Sequence, residues 1–294
     1  MPNTKFNGKK CLLILGILMM LPVYGQKKTR KSYCGRPVHC SLPAEAAEHK
    51  NPYFNEHLCE NFNPQQANFS REYYFLQTNQ CRDMKEAFPG LMDLNFIPAL
   101  LSGPIEQNGV IGLDCERIRI HFDSLRQHTG KPGIYSLYGK SRVKDNICRF
   151  GGEIQLLNIL HRDCEGANQE KKCGKVLGRY TLWEDSSQYH SGFFQGIFEA
   201  TVLIDIKEKK IELDQRFEDS DSYANRTFVG IWTSYETKEA EKCIWGDYRL
   251  PFVFDFYEGE GGMQVNERYL KHGWEFKIGG EQTDKKRQEE WWAR

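Results

Sequence analysis

One pattern, written three times, constrains this chain more than any other feature. Gly133-Ile134-Tyr135-Ser136-Leu137-Tyr138 recurs as Gly178-Arg179-Tyr180-Thr181-Leu182-Trp183 and again as Gly230-Ile231-Trp232-Thr233-Ser234-Tyr235. The shared form is Gly-x-aromatic-hydroxyl-x-aromatic, with starts 45 and 52 residues apart. Each copy is followed by a Gly-x-apolar-polar-apolar half: Gly152 to Leu156, Gly196 to Ala200 and Gly246 to Leu250. Turn-like stretches separate the halves, at Lys144 to Asn146, Glu184 to Gly192 and Glu236 to Glu241. Strand, turn, strand reads as a β-hairpin, so residues 133–156, 178–200 and 230–250 are expected as three hairpins of one sheet.

Three hairpins supply six strands. The clean alternation Arg117-Ile118-Arg119-Ile120-His121-Phe122 supplies another, and Tyr269 to Ile278 is expected to supply the eighth. The fold class is therefore mainly β: an antiparallel meander or eight-stranded barrel, with a smaller helical, Cys-containing N-terminal region. Closing such a meander removes its exposed edges. An open, twisted sheet with the N-terminal helices on one face is the alternative.

The third and sixth residues of each copy are three apart, so on a strand they point to opposite faces. Tyr135, Tyr180 and Trp232 form one set; Tyr138, Trp183 and Tyr235 form the other. One set faces a core. The other is free to line a wet surface that stacks on sugars or apolar ligands. Tyr138, Trp183 and Tyr235 are accordingly the candidate ligand-binding residues.

Residues 1–25 read as a secretory signal peptide: Lys5, Lys9 and Lys10, then the apolar run Leu12 to Leu21, then Val23 and Gly25 before a cut at Gln26. The run is too short for a bilayer span, which takes about 20 residues. Residues 26–108 form a helical or irregular region. In it Ala44 to Glu48 and the stretch opened by Asn63-Pro64 carry helix-start signals, and the apolar segment 91–101 is expected to pack on the main body. The β domain is placed at 109–280, and a charged tail at 281–294 ends in Trp291-Trp292, a segment that either docks on the body or meets a partner. Export makes disulfides available to the nine cysteines that follow the signal, an odd number. Cys164 and Cys173, with eight residues of polar loop between them, are the expected pair.

The signal, the repeated Gly-aromatic strands and the extra cysteines resemble uncharacterised secreted proteins of Bacteroides-like bacteria, and Asp123-Ser124-Leu125 resembles the O-glycosylation site such bacteria use. In outline the meander is similar to lipocalin-like (calycin) barrels, although the Gly-x-Trp at Gly230 to Trp232 comes late in the chain. The resemblance implies an exported protein located in the periplasm, at the cell surface or outside the cell.

Composition and motifs exclude several chemistries. The 40 basic and 40 acidic residues balance, which leaves no basic footprint for nucleic acid. There is no Gly-x-Ser-x-Gly elbow and no phosphate loop between strand and helix. His190 and Ser191 are adjacent on a strand-turn segment and point apart. Cys34, His39, Cys40, His49, His57 and Cys59 lack paired zinc spacings, so disulfides are the better reading, and no cofactor or metal is expected. Asn68 and Asn225 open N-glycosylation patterns, which matter only in a eukaryotic secretory route. Glu184, Asp185, Glu199, Asp205 and Asp247 lie near repeat strands and are the candidates for a carboxylate pair. The first expectation is a non-enzymatic exported β protein that binds a small molecule, a glycan or a protein, with no membrane span once the signal is gone. The alternatives are a secreted carbohydrate-active hydrolase using paired carboxylates and a cell-surface structural component.

Overall fold

Alternation of inward and outward residues runs through the chain from residue 106 to residue 248, and it closes on itself. The structure, a computed structural model, describes residues 82–162, 171–220, 223–251, 253, 256–258, 264–275 and 290–293. The signal segment, most of the N-terminal region with its candidate helices and zinc-competent residues, and Cys164 lie outside the described residues. Nine strands are seen: β1 (Glu106–Ile111), β2 (Glu116–Gln127), β3 (Ile134–Val143), β4 (Asn146–Arg162), β5 (Lys171–Glu184), β6 (Gly192–Asp205), β7 (Lys210–Leu213), β8 (Ala224–Ser234) and β9 (Ala240–Tyr248). Their order is β5-β4-β3-β2-β1-β9-β8-β6-β7, and β5 also pairs with β6. That last pairing closes an eight-stranded antiparallel barrel. The ninth strand, β7, is a spur: it pairs with Val202 to Asp205 of β6, in line with β8, which pairs with Gly192 to Glu199.

All three expected hairpins are present. In β3–β4 the register runs from Ile134↔Gln155 to Val143↔Asn146, leaving the two-residue turn Lys144-Asp145, where Lys144 takes φ 54°. In β5–β6 Trp183 faces Phe193, and in β8–β9 Thr233 faces Ala240. Over its described residues, 269–275, the expected strand at Tyr269 to Ile278 is helical instead. Asn266 accepts a hydrogen bond from the Arg268 backbone N–H and caps helical turns over Glu267–Tyr269 and Leu270–Trp274. The eighth barrel strand is β1, between β2 and β9.

The barrel interior is filled. Phe228 stacks on Trp245 at 5.0 Å, and Tyr180 meets both rings edge-on at 5.2 Å. Phe198, Phe194, Phe150 and Phe122 extend this cluster. Tyr180 fits because it lies over glycines: a Cβ on Gly230 would sit 2.5 Å from its hydroxyl oxygen, and one on Gly196 2.9 Å from it. A residual space of about 10 Å³ beside Phe122 and Phe228 is at the limit for one water. That space is far too small for a lipocalin-like ligand.

One end of the barrel is plugged by residues 84–104. Met84, Leu91, Phe96, Ala99 and Leu100 join the interior cluster, the last two from the helix Ile97–Leu101, so the expected packing of 91–101 on the main body is found. Tyr135 fixes the plug, donating its hydroxyl to the Leu94 carbonyl and accepting from the Phe96 N–H, each at 3.3 Å. Arg226 fastens it as well. Its guanidinium donates to Asp247 at 2.6 and 2.9 Å and to the carbonyls of Leu100 and Pro104 at 3.1 Å. Both side chains are buried, and Gln107 donates to the same carboxylate. A buried pair with its remaining bonds satisfied is a clasp, whereas loss of one partner strands a charge at a cost of about 3–5 kcal/mol.

Two stretches of the outer surface are covered by the chain itself. Leu177, Ile197, Val229, Ile231, Ile244 and Val110 point outward and form a second apolar cluster with Val253, Phe256, Tyr257, Val265, Tyr269 and Trp274. Trp274 donates its indole N–H to the Cys115 carbonyl at 2.9 Å. The C-terminal pair docks beside it on β1–β3: Trp291 is buried and donates to Glu106 at 2.6 Å, while Trp292 stacks on His121 at 4.5 Å. Cys148 and Cys243 are free, buried thiols, and Cys115 and Cys173 are not among the free ones. Among the described residues no helix is long and apolar enough to cross a membrane.

Candidate functional site

Among the described residues, a third stretch of the outer surface, on β3–β6, is left uncovered. Cross-strand register assembles it in rows. Tyr138, Gly151, Trp183 and Phe193 stand side by side on the four strands. Two residues along each strand, Ser136, Glu153, Thr181 and Gln195 form the next row, and beyond them lie Gln155 and Arg179. Because side chains alternate at period two, all of these point outward. All of them but Phe193 line a groove of about 480 Å³.

The aromatic row is the groove's rim. Tyr138 is 49% exposed and Trp183 51%. The two rings flank Gly151, and a Cβ there would meet the Tyr138 ring at 3.1 Å. The missing side chain on β4 is what lets the Tyr138 ring lean inward while a gap remains before Trp183. The floor is polar. Ser136 hydrogen-bonds the His128 ring at 2.6 Å, and Arg179 donates to Gln155 at 2.8 Å. Glu153 is half-buried between Ser136 and Thr181.

Of the three aromatic candidates, Tyr138 and Trp183 are brought together across Gly151. Tyr235 is not part of the groove lining; it stacks against Phe193 at 5.9 Å, extending the same row toward β8. The other set turns inward: Tyr135 and Tyr180 are buried, and Trp232 packs partly buried against the interior cluster.

The candidate carboxylates are not brought together. Glu184 points inward next to the outward Trp183. It accepts from the Ser141 hydroxyl, from the Gly192 N–H at 2.8 Å and from the Trp232 indole at 2.9 Å. Burial pushes its carboxyl above the ordinary value, against the pull of those bonds. Asp185 is on the turn, paired with Arg149 and held low first by the Ser187 hydroxyl. Glu199 pairs with Lys175 at 3.2 Å, and Asp205 ends β6. Asp247 is in the Arg226 clasp, raised by burial more than Arg226 lowers it. Among the described residues lining the groove, Glu153 is the single carboxylate, so the facing pair that glycoside hydrolysis needs is not assembled there.

Other reactive groups are also turned away from the groove. Burial, with Glu184 nearby, pushes the Cys148 thiol up to about 12, the opposite of an activated nucleophile. Lys242, pushed down to about 7 by burial, is on β9 opposite Ile231 of the covered face. Asn225 is buried and exchanges hydrogen bonds with Thr201, which removes its glycosylation pattern from the surface. Cys173 is buried on β5, and its expected partner Cys164 lies outside the described residues. Among the described residues no group of three or more His, Cys, Asp or Glu side chains is placed to hold a metal.

The polar floor residues Ser136, Thr181, Glu153, Gln155 and Gln195 were not singled out from sequence. A usable signal existed for two of them. The hydroxyl in the repeat is two residues from the outward aromatic, hence on the same face.

No family model, curated protein or solved structure matches this chain.

Proposed function

We propose that this is an exported, non-catalytic binding protein that holds its ligand on the outside of its barrel, in the β3–β6 groove. One observation carries the reading. Two outer faces are sealed by the chain's own aromatic segments, while the third presents half-exposed Tyr138 and Trp183 over a polar floor. Exposed large aromatics beside convergent polar groups are the usual make-up of a recognition surface. The filled interior directs binding outward. The single carboxylate in the groove favours binding over hydrolysis. Covering of the apolar outer face by Phe256, Tyr269 and Trp274 removes the patch that a structural building block would use for assembly.

The reading includes export with cleavage before Gln26, and a Cys164–Cys173 bridge; Cys173 is supported as a bonded cysteine. Intact mass of exported protein is expected to begin at Gln26, and a membrane-integral uncut chain would remove that part. Non-reducing peptide mapping is expected to recover Cys164 and Cys173 in one linked peptide pair.

Binding is tested by soaking crystals in a chemically diverse set of small fragments. Occupancy is expected to concentrate between Tyr138 and Trp183. Fragments that leave the groove empty, or that collect inside the barrel, would overturn the reading.

A further inference from the structure

We propose that the groove takes a neutral, extended glycan laid across the strands, with two of its sugar rings on Tyr138 and Trp183. This rests on the groove being the binding site and adds the class of its occupant.

Spacing is the first argument. Tyr138 is on β3 and Trp183 on β5, with Gly151 of β4 between them in the same row. Strands two apart are separated by about 10 Å, the distance from one ring of an extended oligosaccharide to the next but one, which leaves the intervening ring over Gly151. A pyranose has an apolar C–H face and a rim of hydroxyls. Here each ring platform has a hydroxyl two residues down the same strand, Ser136 below Tyr138 and Thr181 below Trp183, about 7 Å away along the strand. Glu153 and Gln195 interleave with those hydroxyls in the same row and supply acceptors and amide donors for the sugar's rim.

Charge is the second argument. Among the described residues the lining holds one carboxylate, Glu153, and one guanidinium, Arg179, the latter bonded to Gln155. Such a surface has no surplus of either sign to attract a polyanion or polycation.

Closure is the third. An extended peptide gains affinity by adding a strand to an open edge. At the groove β4 is paired with β3 and β5, and β5 with β6, so those strands offer no free ladder. A lipid chain would need a continuous apolar floor, and the polar row interrupts it.

The test uses the mature exported chain and four neutral hexasaccharides: cellohexaose, chitohexaose, laminarihexaose and maltohexaose. A hexagalacturonate and an extended polar peptide are run beside them, with binding read by calorimetry and by tryptophan fluorescence. At least one neutral hexasaccharide is expected to bind. Trp183→Ala and Tyr138→Ala are each expected to weaken it tenfold or more, and Glu153→Gln to change it less than the ring variants do, because a neutral ligand needs the hydrogen bonds and not the charge. Binding that survives both ring substitutions would overturn the proposal, as would binding confined to the hexagalacturonate or to the peptide. If fragments occupy the groove in crystals but no neutral hexasaccharide binds, the glycan assignment fails while the binding site stands. If the groove stays empty of fragments as well, the site itself fails.

Discussion

Gln195 and Ile197 are two residues apart on β6 and share its outward face, yet they end in different surroundings. Gln195 lines the open groove, and Ile197 also joins the apolar cluster with Phe256, Tyr269 and Trp274. Ile197 is the seam between two treatments of one barrel wall. On the covered side the outward residues are Leu177, Val229, Ile231 and Ile244, and the chain lays Phe256, Tyr269 and Trp274 over them. On the open side they are Ser136, Glu153, Thr181 and Gln195 with Tyr138 and Trp183, and the described chain lays nothing over the two rings, which stay half exposed. Alternation decides only whether a side chain points in or out. The chemistry of the outward residue decides whether that stretch of wall is scaffold or site.

The comparison is broken most directly by truncating one tryptophan on each side. Trp274→Ala removes a side chain that is 2% exposed together with its hydrogen bond to Cys115. Truncating a buried tryptophan costs about 3–5 kcal/mol, and urea unfolding is expected to show a loss of that size. Tyr138→Ala with Trp183→Ala removes two half-exposed rings, and surface changes of this kind cost about 0.5 kcal/mol each. The double variant is expected to unfold within about 1 kcal/mol of the parent while losing ligand binding. Equal destabilisation on the two sides would mean that the open aromatics are part of the scaffold.

A sharper cut runs between neighbours on β5. Tyr180 points inward and Thr181 outward. The Tyr180 hydroxyl is buried with no hydrogen-bond partner among the described residues, whereas Thr181 lies at the wet floor. A dry, unpaired hydroxyl destabilises, so Tyr180→Phe is expected to raise stability by about 1 kcal/mol. Thr181→Val is expected to leave stability nearly unchanged and weaken binding. Loss of stability in Tyr180→Phe would show that the hydroxyl is satisfied after all.

Much of this architecture was legible because period two survives in the sequence. The three hairpins, the strand through Arg117 to Phe122 and the split of aromatics into inner and outer sets all follow from it. The eighth strand was misplaced for a physical reason. In β1 a small residue, Gly109, stands where an apolar side chain would give the signal, because its Cβ would sit 2.5 Å from that of Trp245. Trp274, Phe276 and Ile278 do alternate in the sequence, but the cap at Asn266 sends the chain into helical turns that take in Trp274. The groove floor was legible only in part. An outward Glu153 or Gln195 looks like any solvated strand residue until register sets it beside Ser136 and Thr181. Likewise nothing local to Arg226 or Asp247 indicates their pairing, and the fate of the candidate carboxylates rested on such distant partners.

The smallest effect is expected at Glu184, which is next to Trp183 in sequence and on the other side of the wall. Burial raises its carboxyl above the ordinary 4.5. In the unfolded chain Glu184 loses its proton near pH 4.5, while in the folded protein it holds it to higher pH. Through that window the folded state binds more protons than the unfolded one, so the contribution of this group to stability is full below about pH 4.5 and is lost as pH rises through the folded value. Glutamine cannot titrate and fits the same contacts. Its carbonyl can accept from Gly192 and Trp232, which share one carboxylate oxygen, and its amide can donate to the Ser141 oxygen. The Ser141 hydroxyl then keeps the Cys148 carbonyl at 3.5 Å as its acceptor. Glu184→Gln is therefore expected to gain on the parent steadily as pH rises from about 4.5, by an amount below the about 1–3 kcal/mol of an unsatisfied buried group. Urea midpoints for both proteins across that range measure the difference directly, with every other titrating group cancelling. Ligand affinity at the groove is expected to stay the same in the variant, since the carboxyl faces the interior. Parallel stability curves would place the Glu184 proton exchange in solvent, and a fall in affinity would tie the inner wall to the outer one.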